Sequence, residues 1–401
     1  MLEDFGAELI INRLEAAGYE AYYVGGCVRN YLLGKPIDDY DITTSATPQA
    51  VCDLFKDLEF FTQGIKHGTV SLVINGAVYE VTTFRTDGLY SDSRHPNKVS
   101  FCSTLSEDLS RRDFTVNAIA FNKNKGFIDD FNGIYDIKHS ILRCVGDADR
   151  RFSEDGLRIL RALRFASVYS LEIEEKTKSA ILSKAYLLKN ISAERINSEL
   201  TKTILGGNAL TVLTEYKQVL FIIIPQLQTV EEVDFYFSWL ANCPFKAELR
   251  FAALVYSCKN HFKEICDLLR FSNFSKNLIK KLIDYHGVRL SAKPYLKRLL
   301  AIFGDQISEF FDFEEAFALT LNDKDALNEI SQARASVCEI LQNNECFTLT
   351  QLAVDGNDLM SLGYNGAQIS KALYLLLDAV INERVSNDKI LLLDFLNENN
   401  G

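Results

Sequence analysis

Two aspartates, Asp39 and Asp41, lie two apart in Asp38-Asp-Tyr-Asp-Ile42, shortly after the segment Val24-Gly-Gly-Cys-Val-Arg29. On an extended strand alternate side chains share a face, so this spacing predicts both carboxylates together, with Tyr40 opposite and Asp38 turned away. Two hard oxygen ligands side by side suit Mg²⁺, which takes few carboxylates and completes its shell with water and phosphate oxygens. A glycine pair after a strand lets backbone N–H groups approach a phosphate unobstructed, and Arg29 adds a fork of donors for the same group. The chemistry implied is metal-assisted phosphoryl transfer, with an attacking hydroxyl held in line with a leaving pyrophosphate. A third carboxylate commonly comes from a neighbouring strand, and Glu80 in Tyr79-Glu-Val-Thr-Thr-Phe-Arg85 is the candidate. A Gly-Gly pair alone is more often a plain turn, and a lone D-x-D more often a solvated loop. The order strand, Gly-Gly, Arg, short helix, D-x-D is what carries the reading.

A second constellation lies in Arg151-Phe-Ser-Glu-Asp155-Gly-Leu-Arg158-Ile-Leu-Arg161-Ala-Leu-Arg164-Phe165. Asp155, Arg158, Arg161 and Arg164 recur every third residue and drift along one side of a helix, opposite Ile159, Leu160, Leu163 and Ala166. Such a strip can be a solvated face with an Asp–Arg pair of little energetic consequence. Three arginines and no lysine favour planar, bidentate recognition instead. A carboxylate beside a guanidinium also matches the amino donor and ring-nitrogen acceptor of cytosine and adenine. Uracil and guanine present the reverse order, leaving buried groups unpaired. An Asp155–Arg158 pair could therefore select C and A without a template.

These side chains need a sheet and a helix to hold them. Leu2 to Gly18 reads as an amphipathic helix closed by glycine, and Ala21 to Val24 as a strand entering the glycines. Thr47-Pro48 caps a helix over Ala50 to Phe55. Thr69–Ile74 and Ala77–Phe84 flank Asn75-Gly76, a hairpin signal. After about residue 150 strand-like alternation stops and apolar residues recur at helical spacing nearly to the end. From Phe347 a further helical unit is expected, with glycine turns at Gly356, Gly363 and Gly366.

The 401 residues, 47% hydrophobic, are enough for two to four domains. A net charge of −11 argues against a general basic coat for nucleic acid, though not against a local basic groove on an acidic body. Nine cysteines occur without C-x-x-C spacing and apart from the five histidines, so reduced, mostly buried thiols are expected rather than zinc or disulfides. No stretch reads as a signal peptide, and the longest apolar run, Val219 to Ile224, is far too short to span a bilayer. A cytoplasmic protein without a membrane partner is expected.

In this order and spacing the segments resemble the class II (bacterial-type) tRNA nucleotidyltransferase and poly(A) polymerase family of the polymerase β superfamily. The resemblance runs through Glu107-Asp-Leu-Ser-Arg111-Arg-Asp-Phe-Thr-Val-Asn117-Ala118 and Ile191-Ser-Ala-Glu194-Arg195-Ile196. It covers residues 20–200 closely, and Val354 to Gly363 is similar to the family's tRNA-contacting tail. The implied fold is α+β: a nucleotidyltransferase head over residues 1–145, followed by a helical neck (146–210), body (211–340) and tail (341–401). The implied activity is template-independent addition of CCA to the 3′ end of tRNA from CTP and ATP. Implied partners are the acceptor and T arms of tRNA, with Mg²⁺ as cofactor and a homodimer compatible.

By position, the resemblance carries metal binding onto Asp39 and Asp41. It carries nucleotide contacts onto Gly26, Arg29, Arg112, Asp155, Arg158, Arg161 and Arg164. Arg111-Arg112-Asp113 is expected to brace the head against the linking helix, and Glu194 and Arg195 to buttress that helix. The chain departs from the family at Asn30, where Asp is usual, at His95, where Arg is frequent, and at Asp130, where Pro is common. Asn30 removes a charge beside the triphosphate-binding turn. His95 lies in Tyr90 to Pro96, which resembles the family's mobile loop. Poly(A) polymerases and CC-only or A-only enzymes share the head motifs, but the chain lacks a long basic extension. A catalytically inactive tRNA-binding relative would have no evident use for the Asp39/Asp41 pair.

Overall fold

The computed structural model describes residues 4–87 and 99–399, so Tyr90–Pro96, with His95, lies outside the described residues. The chain forms two compact units, Met1–Thr229 with Asp267–Arg270, and Val230–Cys266 with Phe271–Gly401.

The first unit opens with helix α1 (Phe5–Ala16), capped by Asp4, whose carboxylate accepts from the Ala7 N–H. Strand β1 (Ala21–Val24) leads into α2 (Gly26–Leu32), then β2 (Asp41–Thr44) and α3 (Pro48–Leu54). Thr47 caps α3 by accepting from the Ala50 N–H, with Pro48 where its missing N–H costs nothing. Strands β3 (Glu59–Phe61), β4 (Thr69–Ile74) and β5 (Ala77–Thr83) follow. Asn75 and Gly76 both take positive φ, at 50° and 80°, as a two-residue hairpin turn requires. A separate ribbon pairs β6 (Arg85–Asp87) with β7 (Val99–Phe101). After α4 (Leu105–Ser110), β8 (Ala120–Asn122) and β9 (Gly126–Ile128) complete a seven-stranded sheet in the order β3-β4-β5-β2-β1-β8-β9. It is mixed: β2 runs parallel to β5 and antiparallel to β1.

Then come α5 (Gly133–Lys138), β10 (Ile141–Leu142), α6 (Ala148–Glu154), α7 (Leu157–Tyr169), β11 (Glu172–Ile173), α8 (Glu175–Lys184) and α9 (Ala193–Ile204). One strand therefore survives past residue 150: β11 pairs in parallel with β10, too short to show alternation in the sequence. The apolar stripe of α7 is buried, with Ile159, Leu160, Leu163 and Ala166 each at most 2% exposed. The backbone of Gly206 abuts Ser167 of α7 so closely that a Cβ would overlap it, and the Ser167 hydroxyl donates to the Thr203 carbonyl at 2.6 Å.

The second unit is helical throughout its described residues. Trp239 packs against Phe313 and Phe317, with ring centroids 4.6 and 4.7 Å away. The end of the chain has its own core of Val354, Leu359, Leu376, Leu392 and Leu396. There Gly363 and Gly366 take positive φ, whereas Gly356 opens a helix capped by Asp355 rather than making a turn. All nine cysteines are free and six are buried. Among the described residues no helix is long and apolar enough to cross a membrane.

Candidate active site

The β1–α2 turn, the start of β2 and the cavity-facing side of α7 enclose a cavity of about 560 Å³. Gly25 and Gly26 form one wall. Gly25 has φ +74°, and a Cβ there would stand 3.1 Å from an Nη of Arg112 and 3.6 Å from Oδ2 of Asp41. Only glycine leaves that space open.

The carboxylates are arranged differently from the alternating-strand expectation. Strand β2 begins at Asp41, so Asp39 lies in the irregular segment before it, exposed. Asp38, expected to point away, lines the cavity with Asp41. The chain from Lys35 to Tyr40 has no ladder partner to impose strand geometry, which is why period-two reasoning fails there. Glu80 stands beside Asp41 in the parallel register of β5 and β2. Burial pushes the Asp41 carboxyl above the usual range; Arg112 opposes the rise, and the charges of Glu80 and Asp39 add to it.

Among the described residues no three potential ligands are gathered into a ready-made metal cluster. Asp41, Asp39 and Glu80 nevertheless fit a hard divalent cation. They are oxygen donors, Glu80 and Asp39 are each near enough to repel Asp41, and none is engaged in an ion pair among the described residues.

Asp41 shares this cavity with four guanidinium groups, those of Arg29, Arg112, Arg161 and Arg164, with Arg112 close beside it. Three are ion-paired. Arg112 Nη2 lies 3.3 Å from Asp108, Arg161 Nη2 lies 2.6 Å from Asp113, and Arg164 Nη1 lies 3.1 Å from Glu199. Arg112 leaves its buried Nε without a hydrogen bond, so its pairing with Asp108 does not satisfy it. The ring of Phe165 lies beneath three of them, with centroid distances of 5.0 Å to Arg29, 5.4 Å to Arg161 and 4.4 Å to Arg164. Burial lowers the pKa of both Arg29 and Arg164, and the neighbouring Arg161 charge adds to the fall. The cavity thus offers surplus positive charge beside unneutralised carboxylates, the complement of a triphosphate with its metal.

Asp155 and Arg158 are placed apart from this wall. The helix expected to carry all four charges breaks between α6 and α7. Asp155 is extended, at φ −142° and ψ 106°, and Gly156 starts the next helix. Asp155 caps α7 through the Leu157 N–H at 3.0 Å and meets Arg195 at 3.1 Å. Arg158 donates to Glu154 at 2.7 Å and to the carbonyls of Arg151 and Arg111 at 3.1 and 3.3 Å. Neither lines the cavity, but Arg158 lies only three residues, about 4.5 Å of helix rise, before Arg161, which does.

Arg111 pairs with Asp108 at 2.8 Å, while Asp113 ties the loop after α4 to α7 through Arg161. Five cavity residues escaped sequence reasoning: Asn117, Phe165, Val168, Tyr169 and Lys202. Tyr169 ends α7 five residues beyond Arg164, the last of the arginine strip, and Lys202 follows Arg195 by seven residues on α9. Both reach the cavity through helix packing that no local pattern reveals.

The sequence profile described as the Poly A polymerase head domain matches residues 21–143. An RNA and SrmB-binding site of polymerase A matches residues 170–227, and tRNA nucleotidyltransferase domain 2 matches 245–396. A CCA-adding enzyme of Anoxybacillus flavithermus is 36% identical over 405 residues, covering 97% of this chain and 96% of the relative. One from Lactobacillus delbrueckii subsp. bulgaricus is 49% identical over 200 residues, half of each chain. The crystal structure of the Bacillus stearothermophilus CCA-adding enzyme in complex with CTP superposes with a TM-score of 0.82 at 31% identity, covering 99% of this chain and 97% of that one.

Proposed function

The chain belongs to the CCA-adding enzyme family of nucleotidyltransferases, and from that premise we propose that it adds C, C and A to the 3′ end of tRNA. The nucleotides come from CTP and ATP without a template, and pyrophosphate is released. The observation that carries the reading is the single cavity in which Asp41 and the Gly25-Gly26 turn face Arg29, Arg112, Arg161 and Arg164.

In this reading Asp39 and Asp41 would hold Mg²⁺, with Glu80 as the third catalytic carboxylate beside Asp41. A bound divalent ion lowers the pKa of an attacking hydroxyl and offsets charge developing on the phosphoryl oxygens. The Gly25-Gly26 backbone and Arg29 take the triphosphate at the open turn. Arg112, Arg161 and Arg164 surround it with donors already oriented by Asp108, Asp113 and Glu199, so little reorganisation accompanies binding. Phe165 excludes water from beneath the guanidinium groups. The tRNA 3′-hydroxyl attacks the α-phosphate, and the arginines stabilise the departing pyrophosphate.

Asp155 and Arg158 select the base. Glu154 and two backbone carbonyls fix the Arg158 plane, and the Asp155 carboxylate turns to the base amino group by exchanging its bond to Arg195. Residues 1–145 act as catalytic head and 146–210 as nucleotide-selecting neck. Residues 211–340 and 341–401 hold the acceptor and T arms of tRNA, by shape and phosphates.

The test is to sequence the products formed from tRNA ending at the discriminator base, at −C and at −CC, with Mg²⁺ and with chelator. Completion of all three to CCA, only with the metal, is expected. Homopolymeric A tails would make the chain a poly(A) polymerase, and arrest after CC or refusal of the first two substrates would make it a specialist.

A further inference from the structure

Lys202 is held unlike the other cations of the cavity. Arg112, Arg161 and Arg164 each have a carboxylate within 3.3 Å, and Arg29 donates to the side chains of Asn30, Asn117 and Tyr169. Lys202 lines the same cavity yet is exposed, and among the described residues its ammonium has neither an ion pair nor a hydrogen bond. It stands in the last turn of α9, three residues after Glu199, which accepts from Arg164 at 3.1 Å. Side chains three apart share a helix face, so the face of α9 that holds Arg164 also carries Lys202 to the cavity. Val168, one turn beyond Arg164 on α7, lines the cavity as well and is 39% exposed. Lys202 and Val168 thus mark a part of the wall that is open to solvent.

We propose that the Lys202 ammonium binds a backbone phosphate near the 3′ end of the tRNA, and not the triphosphate of the incoming nucleotide. The proposal rests on the nucleotidyl-transfer reading and adds to it a binding residue for the second substrate. The attacking 3′-hydroxyl cannot reach the cavity without bringing phosphodiester charge toward Asp38 and Asp41, which line it. On a chain of net charge −11 that approach needs a local positive counterpart. The guanidinium groups are held in place by side-chain partners, which suits a triphosphate presented in the same way in every round. The tRNA end, by contrast, grows by one nucleotide per round, so its last phosphates shift. A lysine offers a compact charge on a flexible stem, and with no partner to release it can follow them. A lysine in the last turn of a helix also complements the helix dipole, but that role alone would leave tRNA binding untouched.

The test uses the full chain and compares Lys202→Gln, Lys202→Arg and Lys202→Glu with the unaltered protein. KM and kcat are measured for tRNA ending at the discriminator base with CTP, and for tRNA ending at −CC with ATP, over a range of salt. KM for each nucleotide at saturating tRNA, and inhibition by inorganic tripolyphosphate, report on the triphosphate site. For Lys202→Gln, KM for both tRNAs should rise about fivefold in low salt, equivalent to ~1 kcal/mol. The dependence of log KM for tRNA on log salt should become shallower by about 0.7, the counterion release for one phosphate of a single strand. Lys202→Glu should raise KM for tRNA further, and Lys202→Arg should restore most of the loss. KM for CTP and ATP and inhibition by tripolyphosphate should not change in any of the three. Weaker tripolyphosphate inhibition with raised KM for CTP and ATP would move Lys202 to the triphosphate site. Unchanged KM and salt dependence for tRNA, with only a lower thermal midpoint, would leave it a helix-end charge, and either result overturns the proposal. Failure of the unaltered protein to incorporate CMP or AMP would instead overturn the reading beneath it.

Discussion

Asp113 and Arg161 meet at 2.6 Å, and their ion pair joins the loop that follows α4 to the middle of α7. Asp113 also accepts from the Asn117 side chain at 3.0 Å, and Asn117 accepts from Arg29 at 2.6 Å. One carboxylate thereby sets, directly or through one amide, the placement of two arginines that share the Phe165 ring. The local sequence Arg111-Arg112-Asp113 is a structural joint as much as a ligand site.

Asp113→Asn should therefore destabilise the first unit and disturb the nucleotide site together. Breaking a buried pair strands the remaining charge and costs on the order of 3 kcal/mol, to be read from denaturant unfolding. The pH dependence has a definite sign. Burial pushes the Asp113 carboxyl up, but Arg161, the Asn117 amide and Arg158 outweigh it and hold it below the usual range. Its contribution is present above the unfolded carboxylate value of about 3.9 and disappears as pH falls through the lower folded one. Asn at position 113 should flatten the acid limb of the stability curve.

Asp41→Asn should do the opposite to stability while abolishing chemistry. The raised pKa of Asp41, caused first by burial and then reinforced by Glu80 and Asp39, means that its ionised form is a cost in the metal-free protein. That contribution favours the fold below the unfolded carboxylate pKa and is lost as pH rises through the folded one. The variant's unfolding midpoint, measured without divalent ions, should thus match the unaltered protein near pH 3 and exceed it near pH 7. Incorporation of CMP should fall by at least about 10²-fold, the scale for losing one principal charge-stabilising group. Near-normal turnover would remove Asp41 from the metal site.

Much of the head was legible because its signals are local. Asn75-Gly76 forced a hairpin, Thr47-Pro48 opened a helix, and Ala21–Val24 ran into two glycines, and each feature is found at those residues. The misreadings share one cause: a period was continued across a break. Every-third-residue spacing carried Asp155 onto the helix of Arg158, but Asp155 itself is extended and α7 restarts at Gly156, which packs closely against Leu187. Alternation carried Asp39 onto β2, which starts at Asp41. Tyr169 and Lys202 were invisible for a different reason, since contact between α7 and α9 brings them to the cavity from positions with no motif of their own.

Gly25→Ala tests whether the turn must stay open. The residue needs φ near +74°, and an added Cβ would press on Arg112 at 3.1 Å. With ψ at −125° this backbone lies outside even the left-handed helical region, so holding a residue with a Cβ there costs on the order of 1–3 kcal/mol, which should appear as a lower melting midpoint. Displacing Arg112 and covering the backbone N–H groups should raise KM for CTP and ATP alike. A variant that loses stability but keeps both KM values would make Gly25 a turn residue only.

The last prediction concerns base choice. Arg158 is already immobilised by Glu154 and two carbonyls, so Arg158→Lys keeps the charge but loses the planar fork that a base edge requires. Asp155 is held by Arg195 and by the first turn of α7, so Asp155→Asn keeps much of the cap while reversing one acceptor into a donor. If these two groups read the amino and ring-nitrogen positions, both variants should accept UTP or GTP measurably, with CTP and ATP slowed. Because each mismatched buried group costs roughly 1–3 kcal/mol, discrimination should shrink by about ten- to a hundredfold per variant, read as the ratio of kcat/KM values for CTP and UTP. Arg195→Ala separates the roles: freeing Asp155 should leave selectivity intact while destabilising the α6–α7 junction. Variants at 155 and 158 that are slow yet still refuse UTP and GTP would mean that selection resides in the cavity wall itself, at Arg161, Arg164 and Lys202.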